Sequence, residues 1–452
     1  MWTVNRLHRF LTESVFPSHW DRTGGAGPTI ESIGLLGLAL MAFALGLGNT
    51  PQSIGMALLI LASLAAWPTL WRGLRMDWVA RLALIWFCYV LLRTGWVVWE
   101  MPELASMQWD RVRSVARILL FPVACWWLGG ARRSLLSICI LVLMGAAVGI
   151  FYYGDSSSVV LPNGSRRLLF GGDPRLHGLL YASILAGMIA FARVWWGPYT
   201  NKPIFFFRLL LWTITYLLLL WALIAVQARA AWFAGAITGL LFLAWFSRKM
   251  LRSHASGNQR LELAIALAVL MGTGAVLATF ADKISHRVLE EHGTYALLLR
   301  GDVEKIEDPS LATRIYMFGV GWRAWLDRPL FGWGAGTSKY LISHADIPKR
   351  FHTYRELHNN YLEMLVRFGI IGALLFFALW YQVVVPFARC WRAGSIPNDL
   401  GAFGISVSMI FFIVNLTDTY IDFQFGWIYM LFLCALLHSP LMQPSLSFDA
   451  PP

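Results

Sequence analysis

His358, Asn359 and Asn360 follow one another where a long polar stretch of the chain meets an apolar run. A neutral imidazole accepts a proton near neutral pH, so His358 is the candidate general base. The asparagines suit the cap of a helix that begins there, and we predict Asn359 and Tyr361 as supporting residues. A histidine at a helix start also forms ordinary hydrogen bonds with water or backbone, and spacing alone does not separate the two interpretations.

Three arginines are candidates for binding an anion beside such a base. Arg229 stands between two apolar runs with no acidic neighbour in sequence. A charge so close to hydrocarbon is functional, or else its side chain extends to the membrane interface. Its planar guanidinium suits a pair of phosphate oxygens. Arg314 and Arg175 would ordinarily be solvated charges beside lipid headgroups, but their convergence with His358 on one predicted side of the membrane makes them candidates for the same site.

Two further patterns concern metal binding and ion pairing. His344, His352 and His358 are separated by eight and six positions, and no paired cysteine accompanies them. That spacing does not fit a zinc site, so we predict no metal and no cofactor.

Glu363 and Arg367 are four residues apart on one helical face, which predicts a structural ion pair.

The composition indicates an integral membrane protein. Hydrophobic residues make up 58% of the 452 residues and charged residues only 14%, which excludes a soluble domain of this size. The net charge of +12 arises from basic residues in alternate loops, as the positive-inside rule describes. Nucleic acid is therefore not an expected partner, and both termini are predicted to be cytoplasmic.

About twelve spans are predicted, since crossing the hydrocarbon layer takes roughly 20 apolar residues. They lie near residues 30–48, 53–71, 78–98, 113–130, 134–153, 177–196, 205–227, 230–247, 261–281, 361–386, 400–417 and 424–440. The fold class is thus an all-α polytopic membrane protein. The predicted periplasmic segments are 49–52, 99–112, 154–176, 228–229, 282–360 and 418–423.

The predicted organisation follows from these spans. Residues 1–29 form a cytoplasmic segment, 30–281 hold nine spans, 282–360 form one long periplasmic loop, 361–440 hold three more spans, and 441–452 form a cytoplasmic tail. Within the long loop, apolar residues recur at helical spacing after Arg314, which predicts an amphipathic helix in the membrane interface. Pro329 ends it, and a glycine-rich turn at 332–336 follows.

Three short motifs together resemble the O-antigen ligase and polymerase superfamily. They are Ala228-Arg229-Ala230, the arginine-headed helix that leads into Pro-Leu-Phe-Gly-Trp-Gly at 329–334, and His-Asn-Asn-Tyr-Leu-Glu at 358–363 running into Arg-Phe-Gly-Ile-Ile-Gly at 367–372. Their order and the topology agree with the family over most of the chain. One departure is visible, because the family often has serine where this chain has Ala228.

The resemblance implies a metal-independent glycosyltransferase of the GT-C type in the bacterial inner membrane, with its active site facing the periplasm. In the ligase branch, such enzymes move polysaccharide from undecaprenyl pyrophosphate to lipid A-core during lipopolysaccharide assembly. The family's histidine corresponds to His358 and its two pyrophosphate-associated arginines to Arg229 and Arg314, and the resemblance is extended to Arg175 as a third pyrophosphate-binding residue. The expected partners are the undecaprenyl-pyrophosphate-linked glycan, lipid A-core and membrane lipids, and the reaction would invert the anomeric centre.

Three alternatives stay open at this point. An O-antigen polymerase would use the same donor but a second lipid-linked glycan as acceptor, and a protein-directed O-oligosaccharyltransferase belongs to the same superfamily. A polysaccharide transporter or flippase fits twelve spans, but neither a repeat nor matched broken helices is visible in the sequence.

Overall fold

The computed structural model describes residues 4–16, 27–154, 158–160, 166–170, 172–197, 201–252, 274, 278 and 309–442. Helices dominate this part of the chain, as the all-α class predicts. The α-helices are α1 (Val4–Arg9), α2 (Pro28–Phe43), α3 (Asn49–Ala65), α4 (Trp67–Leu74), α5 (Trp78–Glu100), α6 (Ala105–Val115), α7 (Leu120–Leu128), α8 (Arg132–Tyr153), α9 (Pro174–Ala190), α10 (Ala192–Trp196), α11 (Lys202–Ala225), α12 (Arg229–Arg252), α13 (Pro309–Asp327), α14 (Ser338–Ser343), α15 (Asn360–Arg392), α16 (Asn398–Val414) and α17 (Gln424–His438).

One element departs from the all-α prediction. Strands β1 (Ser158–Val160) and β2 (Arg166–Leu168) pair antiparallel, with Val159 opposite Arg167. They lie in the segment 154–176, which the sequence predicted only as an irregular outer loop. A π-helical turn (Phe10–Val15) and five 3₁₀ turns (Ala44–Gly46, Pro102–Leu104, Ala116–Leu119, Lys349–Phe351 and Ser439–Met442) complete the regular structure of the described residues.

Six helical segments in the described part are long and apolar enough to cross a membrane, which identifies a multi-pass membrane protein. They are Pro28–Gly46, Trp78–Glu100, Arg132–Tyr153, Lys202–Ala225, Asn360–Arg392 and Gln424–Met442, and a bent pair of helices would make a seventh. The predicted span 261–281 and the first part of the predicted loop, 282–308, lie outside the described residues. The count of twelve therefore stays a prediction.

The bent pair consists of α3 and α4, which meet at 90° within the predicted span 53–71. Pro68 lies in the first turn of α4, where its missing N–H costs no helical hydrogen bond, and Ala66 before it leaves the helical conformation. Trp67 and Trp71 stack with ring centroids 5.7 Å apart and are both about half exposed. Paired tryptophans on a helix that turns aside from a span are typical of the membrane interface.

A second break lies inside α15, where Gly369 has a φ of 64° and a ψ of −175°. Tyr361 stacks on Phe377 across this break, with ring centroids 5.9 Å apart. Residues so far apart in a straight helix would be separated by about 24 Å along its axis, so the chain turns back on itself at the glycine. The predicted span 361–386 therefore has a short helix before Gly369 and the main helix after it.

The break is stabilised by the glycine-rich turn of the long loop. The N–H of Trp333 donates to the Val366 carbonyl at 2.8 Å, and the N–H of Ile370 donates to the Pro329 carbonyl at 2.9 Å. A Cβ atom on Gly369 would lie 2.2 Å from the Leu330 oxygen. The two family-like motifs at 329–334 and 367–372 thus form one interlocked backbone crossing.

Side chains of α5 hold this crossing from one side. The indole of Trp86 donates to the Gly372 carbonyl at 2.9 Å, and the hydroxyl of Tyr89 donates to the Phe368 carbonyl at 2.5 Å. The guanidinium of Arg93 donates to the Gly332 carbonyl, with Nε at 3.1 Å. Three carbonyls freed by the irregular backbone therefore accept hydrogen bonds, as buried polar groups require.

The chain forms two compact units. The first comprises Met1–Tyr153, Met317–Ser408 and Asn415–Pro452, and the second comprises Gly154–Tyr316 and Met409–Val414. In the first unit, α5 packs along α15, α17 packs against α7, and α2 packs against α3 and α8. Its core includes fully buried Trp86, Trp127 and Trp427. In the second unit, α9 packs against both α11 and α12.

The predicted outer segments of the first unit meet at one end. The carboxylate of Glu100 pairs with Arg328 at 2.5 Å, Gln108 accepts the Gly336 N–H at 3.0 Å, and Gln424 donates to the Asn49 carbonyl at 3.0 Å. These contacts connect segments 49–52, 99–112 and the long loop with the start of α17. The charge pattern predicted these segments on one side of the membrane.

The segments of the same unit that are predicted to be cytoplasmic also contact one another. His438 at the end of α17 lies 2.7 Å from Asp77 before α5, and Arg132, the first residue of α8, pairs with Asp399 in α16. Both contacts join loops that the positive-inside pattern assigned to the cytoplasmic side. Asp77 lies just outside α5, where burial raises the pKa of its carboxyl, but the hydrogen bond and charge of His438 outweigh it and the pKa falls below its ordinary value.

The Gly369→Ala variant is expected to unfold at a clearly lower temperature than the wild type. The left-handed backbone alone costs a non-glycine residue about 1–2 kcal/mol, and the added methyl would overlap the Leu330 carbonyl. Thermal unfolding in one detergent measures the difference. The matched control is Gly95→Ala in α5, where the new Cβ meets nothing within 4 Å. An equal fall in unfolding temperature in both variants would show that the close backbone contact at Gly369 does not stabilise the fold.

Candidate functional site

His358 lies in a tight turn that the following helix holds in place. The N–H of Leu357 donates to the Glu363 carboxylate at 2.7 Å, and the side chain of Asn359 caps α15 by accepting the Leu362 N–H at 3.0 Å. Between these bonds, His358 adopts a φ of 54°. A non-glycine residue in this region costs about 1–3 kcal/mol, and such positions occur preferentially at functional sites.

The imidazole of His358 is largely buried beside a carboxylate. Its Nδ1 lies 3.8 Å from Oε1 of Glu356, and the two side chains are 14% and 11% exposed. The ring of Tyr354 packs edge-on against it at 5.6 Å. A distance of 3.8 Å is too long for a direct hydrogen bond but allows the carboxylate to stabilise a protonated imidazole electrostatically. The pair therefore has the chemistry of a general base with its supporting charge.

Asn359 and Asn360 attach this turn to the loop before α17. The side-chain amide of Asn359 donates to the Leu416 carbonyl at 3.0 Å, and the N–H of Asn360 donates to the Asn415 carbonyl at 3.0 Å. The capping role expected for Asn359 is therefore present. Tyr361, the other predicted supporting residue, packs against Phe377. These contacts position the turn, and any role of either residue toward substrate stays a prediction.

A buried charge cluster lies directly behind the turn, and we call Arg111, Ser338, Glu363, Arg367 and Asp422 the arginine cluster. Nε of Arg367 lies 2.7 Å from Glu363, and its two terminal nitrogens bind the two oxygens of Asp422 at 2.6 and 2.9 Å. The side chains of Arg367 and Glu363 are 1% and 0% exposed. The structural pair predicted from their spacing is confirmed, and Asp422 adds a fork-to-fork contact.

The other members complete the arginine cluster. Arg111 of α6 lies 3.1 Å from the Asp422 carboxylate, and the Ser338 hydroxyl donates to Glu363 at 2.5 Å. Burial lowers the pKa of Arg111, the charge of Arg367 lowers it further, and the carboxylate of Asp422 opposes both. An arginine stays protonated in any case. Two guanidinium groups therefore face two carboxylates, which leaves the cluster balanced in charge.

All three predicted arginines lie in the second unit, and two of them lie at the starts of two helices that pack together. Arg175 is in the first turn of α9 and Arg229 is the first residue of α12. A Cβ on Gly178 would lie 2.4 Å from the Ala228 methyl, and one on Gly235 would lie 3.9 Å from Ala182. Because both contacts advance together, the helices run parallel, and α12 begins beside the second turn of α9. The N-terminal dipoles of both helices favour an anion.

Arg175 is already paired in this structure. Its side chain binds Asp173, with Nη2 2.7 Å from Oδ2, and Asp173 also caps α9 by accepting the Arg175 N–H at 2.9 Å. Arg314 is half-buried in the second turn of α13. The helix predicted from the spacing around Arg314 is present as Pro309–Asp327 and ends before Pro329 as expected. The roles of Arg175, Arg229 and Arg314 toward pyrophosphate stay predictions.

Three residues of the first unit were not identified as functional from the sequence. Glu356 lies two positions before His358, and that proximity was the available signal. Asp422 lies in the short segment between the last two predicted spans, and its charge between two apolar runs was the available signal. Arg111 carried no signal, because its partner Asp422 is more than 300 positions away.

No metal-binding group of three or more His, Cys, Asp or Glu residues is present among the residues that the structure describes. The absence of a metal in the reaction stays a prediction.

A comparison with protein-family models decides the broader assignment. Residues 214–377 match the family model described as O-Antigen ligase. This segment is similar to O-antigen ligases over 164 of the 452 residues. It contains Arg229, Arg314 and His358 together with Glu356 and Arg367, whereas Arg175, Arg111 and Asp422 lie outside it. The resemblance noted from the motifs is confirmed for the superfamily, whose members are membrane glycosyltransferase-like ligases and polymerases. A comparison with curated proteins gives no match.

Replacement of Asp422 by asparagine is expected to destabilise the protein by about 3–5 kcal/mol, because it leaves a buried guanidinium with an uncompensated charge. Thermal unfolding in detergent measures the loss. The matched control is Asp110→Asn, whose ion pair with Arg113 is 72% and 82% exposed and contributes about 0–1 kcal/mol. Similar shifts in both variants would show that the arginine cluster does not stabilise the fold.

Proposed function

We propose that the protein is an O-antigen ligase that transfers polysaccharide from undecaprenyl pyrophosphate to a hydroxyl of lipid A-core. The observation that carries the proposal is the similarity to O-antigen ligases over residues 214–377, a segment that contains the candidate base and two of the three candidate pyrophosphate residues. The enzyme would lie in the bacterial inner membrane with both termini cytoplasmic. The site would face the periplasm, where the predicted outer loops of the first unit converge.

His358 acts in this proposal as the base for the acceptor. It accepts the proton of the attacking sugar hydroxyl, whose oxygen forms a bond to the anomeric carbon of the donor glycan. The bond from that carbon to the pyrophosphate oxygen breaks, and its electron pair leaves with undecaprenyl pyrophosphate. Glu356 stabilises the positive charge that develops on the imidazole. Attack opposite the leaving group inverts the anomeric centre.

Arg229, Arg314 and Arg175 bind the pyrophosphate in this proposal. Guanidinium groups neutralise negative charge as it develops on the leaving group, and the parallel N-termini of α9 and α12 favour the same charge. Ala228 contributes no hydroxyl to this site. Its methyl group packs against Gly178 of α9, and a larger side chain at position 228 would force α9 and α12 apart. The reaction would then proceed without a metal ion.

The function is tested with purified protein, undecaprenyl-pyrophosphate glycan and lipid A-core, with and without EDTA. Glycosylated lipid A-core formed in the presence of EDTA is the expected product. Longer lipid-linked glycans in place of it would instead identify a polymerase, because the donor is shared and only the acceptor differs. No glycosidic product of either kind would contradict the proposal and favour a transporter.

His358→Ala is expected to lower kcat by about 10²–10⁴-fold, the usual contribution of a general base. The same transfer assay measures it, with donor binding determined separately. His352→Ala is the matched control, because that imidazole contacts the Ile347 carbonyl within the same segment and has no proposed catalytic role. Full activity of the His358 variant would show that His358 is not the general base.

Glu356→Gln is expected to lower kcat by roughly ten- to a hundredfold with KM nearly unchanged, since it removes the charge that stabilises the protonated base. Glu356→Asp should recover part of the loss, which a merely structural defect would not predict. Glu103→Gln, an exposed acidic residue of the first unit, serves as the control. A raised KM with unchanged kcat would place Glu356 in substrate binding instead.

A further inference from the structure

A cavity of about 260 Å³ opens beside the arginine cluster, entirely within the first unit. Its lining includes Asp110, Arg111, Ser338, Lys339, Arg355 and Arg367. None of these residues belongs to the pyrophosphate site predicted from Arg175, Arg229 and Arg314. One lining residue, Arg355, lies three positions before His358, the candidate base.

The lining has an excess of positive charge. Arg367 is neutralised by Glu363 and Asp422, and Arg111 shares the second of these carboxylates. Among the residues that the structure describes, neither Lys339 nor Arg355 has an acidic partner. The one carboxylate of the lining, Asp110, pairs with the exposed Arg113. Lys339 and Arg355 therefore leave about two positive charges at the cavity uncompensated.

The size and charge of the cavity together restrict what it can hold. Pockets that bury drug-sized ligands begin at roughly 300 Å³, so this cavity suits a single charged group with some water, and not a sugar chain. Lysine and arginine beside Ser338 are the donors that proteins use for phosphate oxygens. A carboxylate would satisfy fewer of these donors, because it presents two oxygens where a phosphate presents three or more.

We propose that this cavity binds a phosphate group of a glycolipid substrate, held by Lys339 and Arg355 with Arg111 behind them. The proposal rests on the proposed function only for the identity of the lipid. Two substrates carry the required chemistry, namely the donor through its pyrophosphate and a phosphorylated acceptor core. A phosphorylated acceptor bound here would be held a few residues from His358 without contact with the reacting atoms, whereas a donor bound here would present its leaving group to cations other than Arg175, Arg229 and Arg314.

The test compares a double variant, Lys339→Gln with Arg355→Gln, against the wild type in direct binding measurements on the purified protein. The matched control is Lys349→Gln with Arg350→Gln, which removes the same charge from exposed residues outside the cavity lining. Three probes are used: farnesyl pyrophosphate, phosphorylated lipid A-core, and the same lipid A-core after phosphatase treatment. Thermal unfolding verifies that both double variants are folded.

The expected result is a Kd raised about tenfold or more for a phosphate-bearing probe, as the loss of charged hydrogen bonds predicts, with the control unchanged. A loss confined to phosphorylated lipid A-core assigns the cavity to the acceptor, and a loss confined to farnesyl pyrophosphate assigns it to the donor. Unchanged affinity for both phosphate probes, or an equal loss for the dephosphorylated lipid, overturns the proposal. Because binding is measured without turnover, an absence of ligase activity would not alter this outcome.

Discussion

The guanidinium of Arg367 is the group on which the first unit most depends. It is 1% exposed and lies between Glu363 on its own helix and Asp422 in the loop before α17. Removing such a charge from water costs several kcal/mol, and only close pairing with good geometry offsets that cost. The fold can bury Arg367 only when both carboxylates are in place. Helix α15 and the loop before α17 must therefore come together for Arg367 to be buried.

The same cluster positions the candidate catalytic turn. Glu363 binds Arg367 through one oxygen and accepts the Leu357 N–H through the other, so the charge pair and the turn share a carboxylate. The left-handed conformation of His358 is unfavourable by itself, and these bonds, together with the Asn359 cap, maintain it. Electrostatic pairing at the helix start is thus connected directly to the orientation of the proposed base.

The two family-like motifs have a structural reason to occur together. The turn at 329–334 and the segment at 367–372 cross so closely that Gly332 and Gly369 leave no room for a side chain. Their backbones exchange hydrogen bonds, and α5 satisfies the remaining carbonyls. The crossing fixes the long loop to the helix that follows His358. The proposed acceptor side of the reaction therefore rests on a rigid backbone, while the second unit supplies two parallel helix starts that carry Arg175 and Arg229.

The sequence by itself determined the membrane class, a helix that contains Arg314, and the Glu363–Arg367 pair, and it predicted a grouping of loops into two sides. Hydropathy, helical spacing and loop charge are local quantities, so they can be obtained without knowledge of the fold. Only the tertiary structure decided the reversal at Gly369, the pairing of Arg367 with Asp422, and the cationic cavity. Each of these depends on groups far apart in sequence or on a backbone contact that only packing creates. No repeating pattern in the sequence indicates that Arg111 and Asp422 form an ion pair.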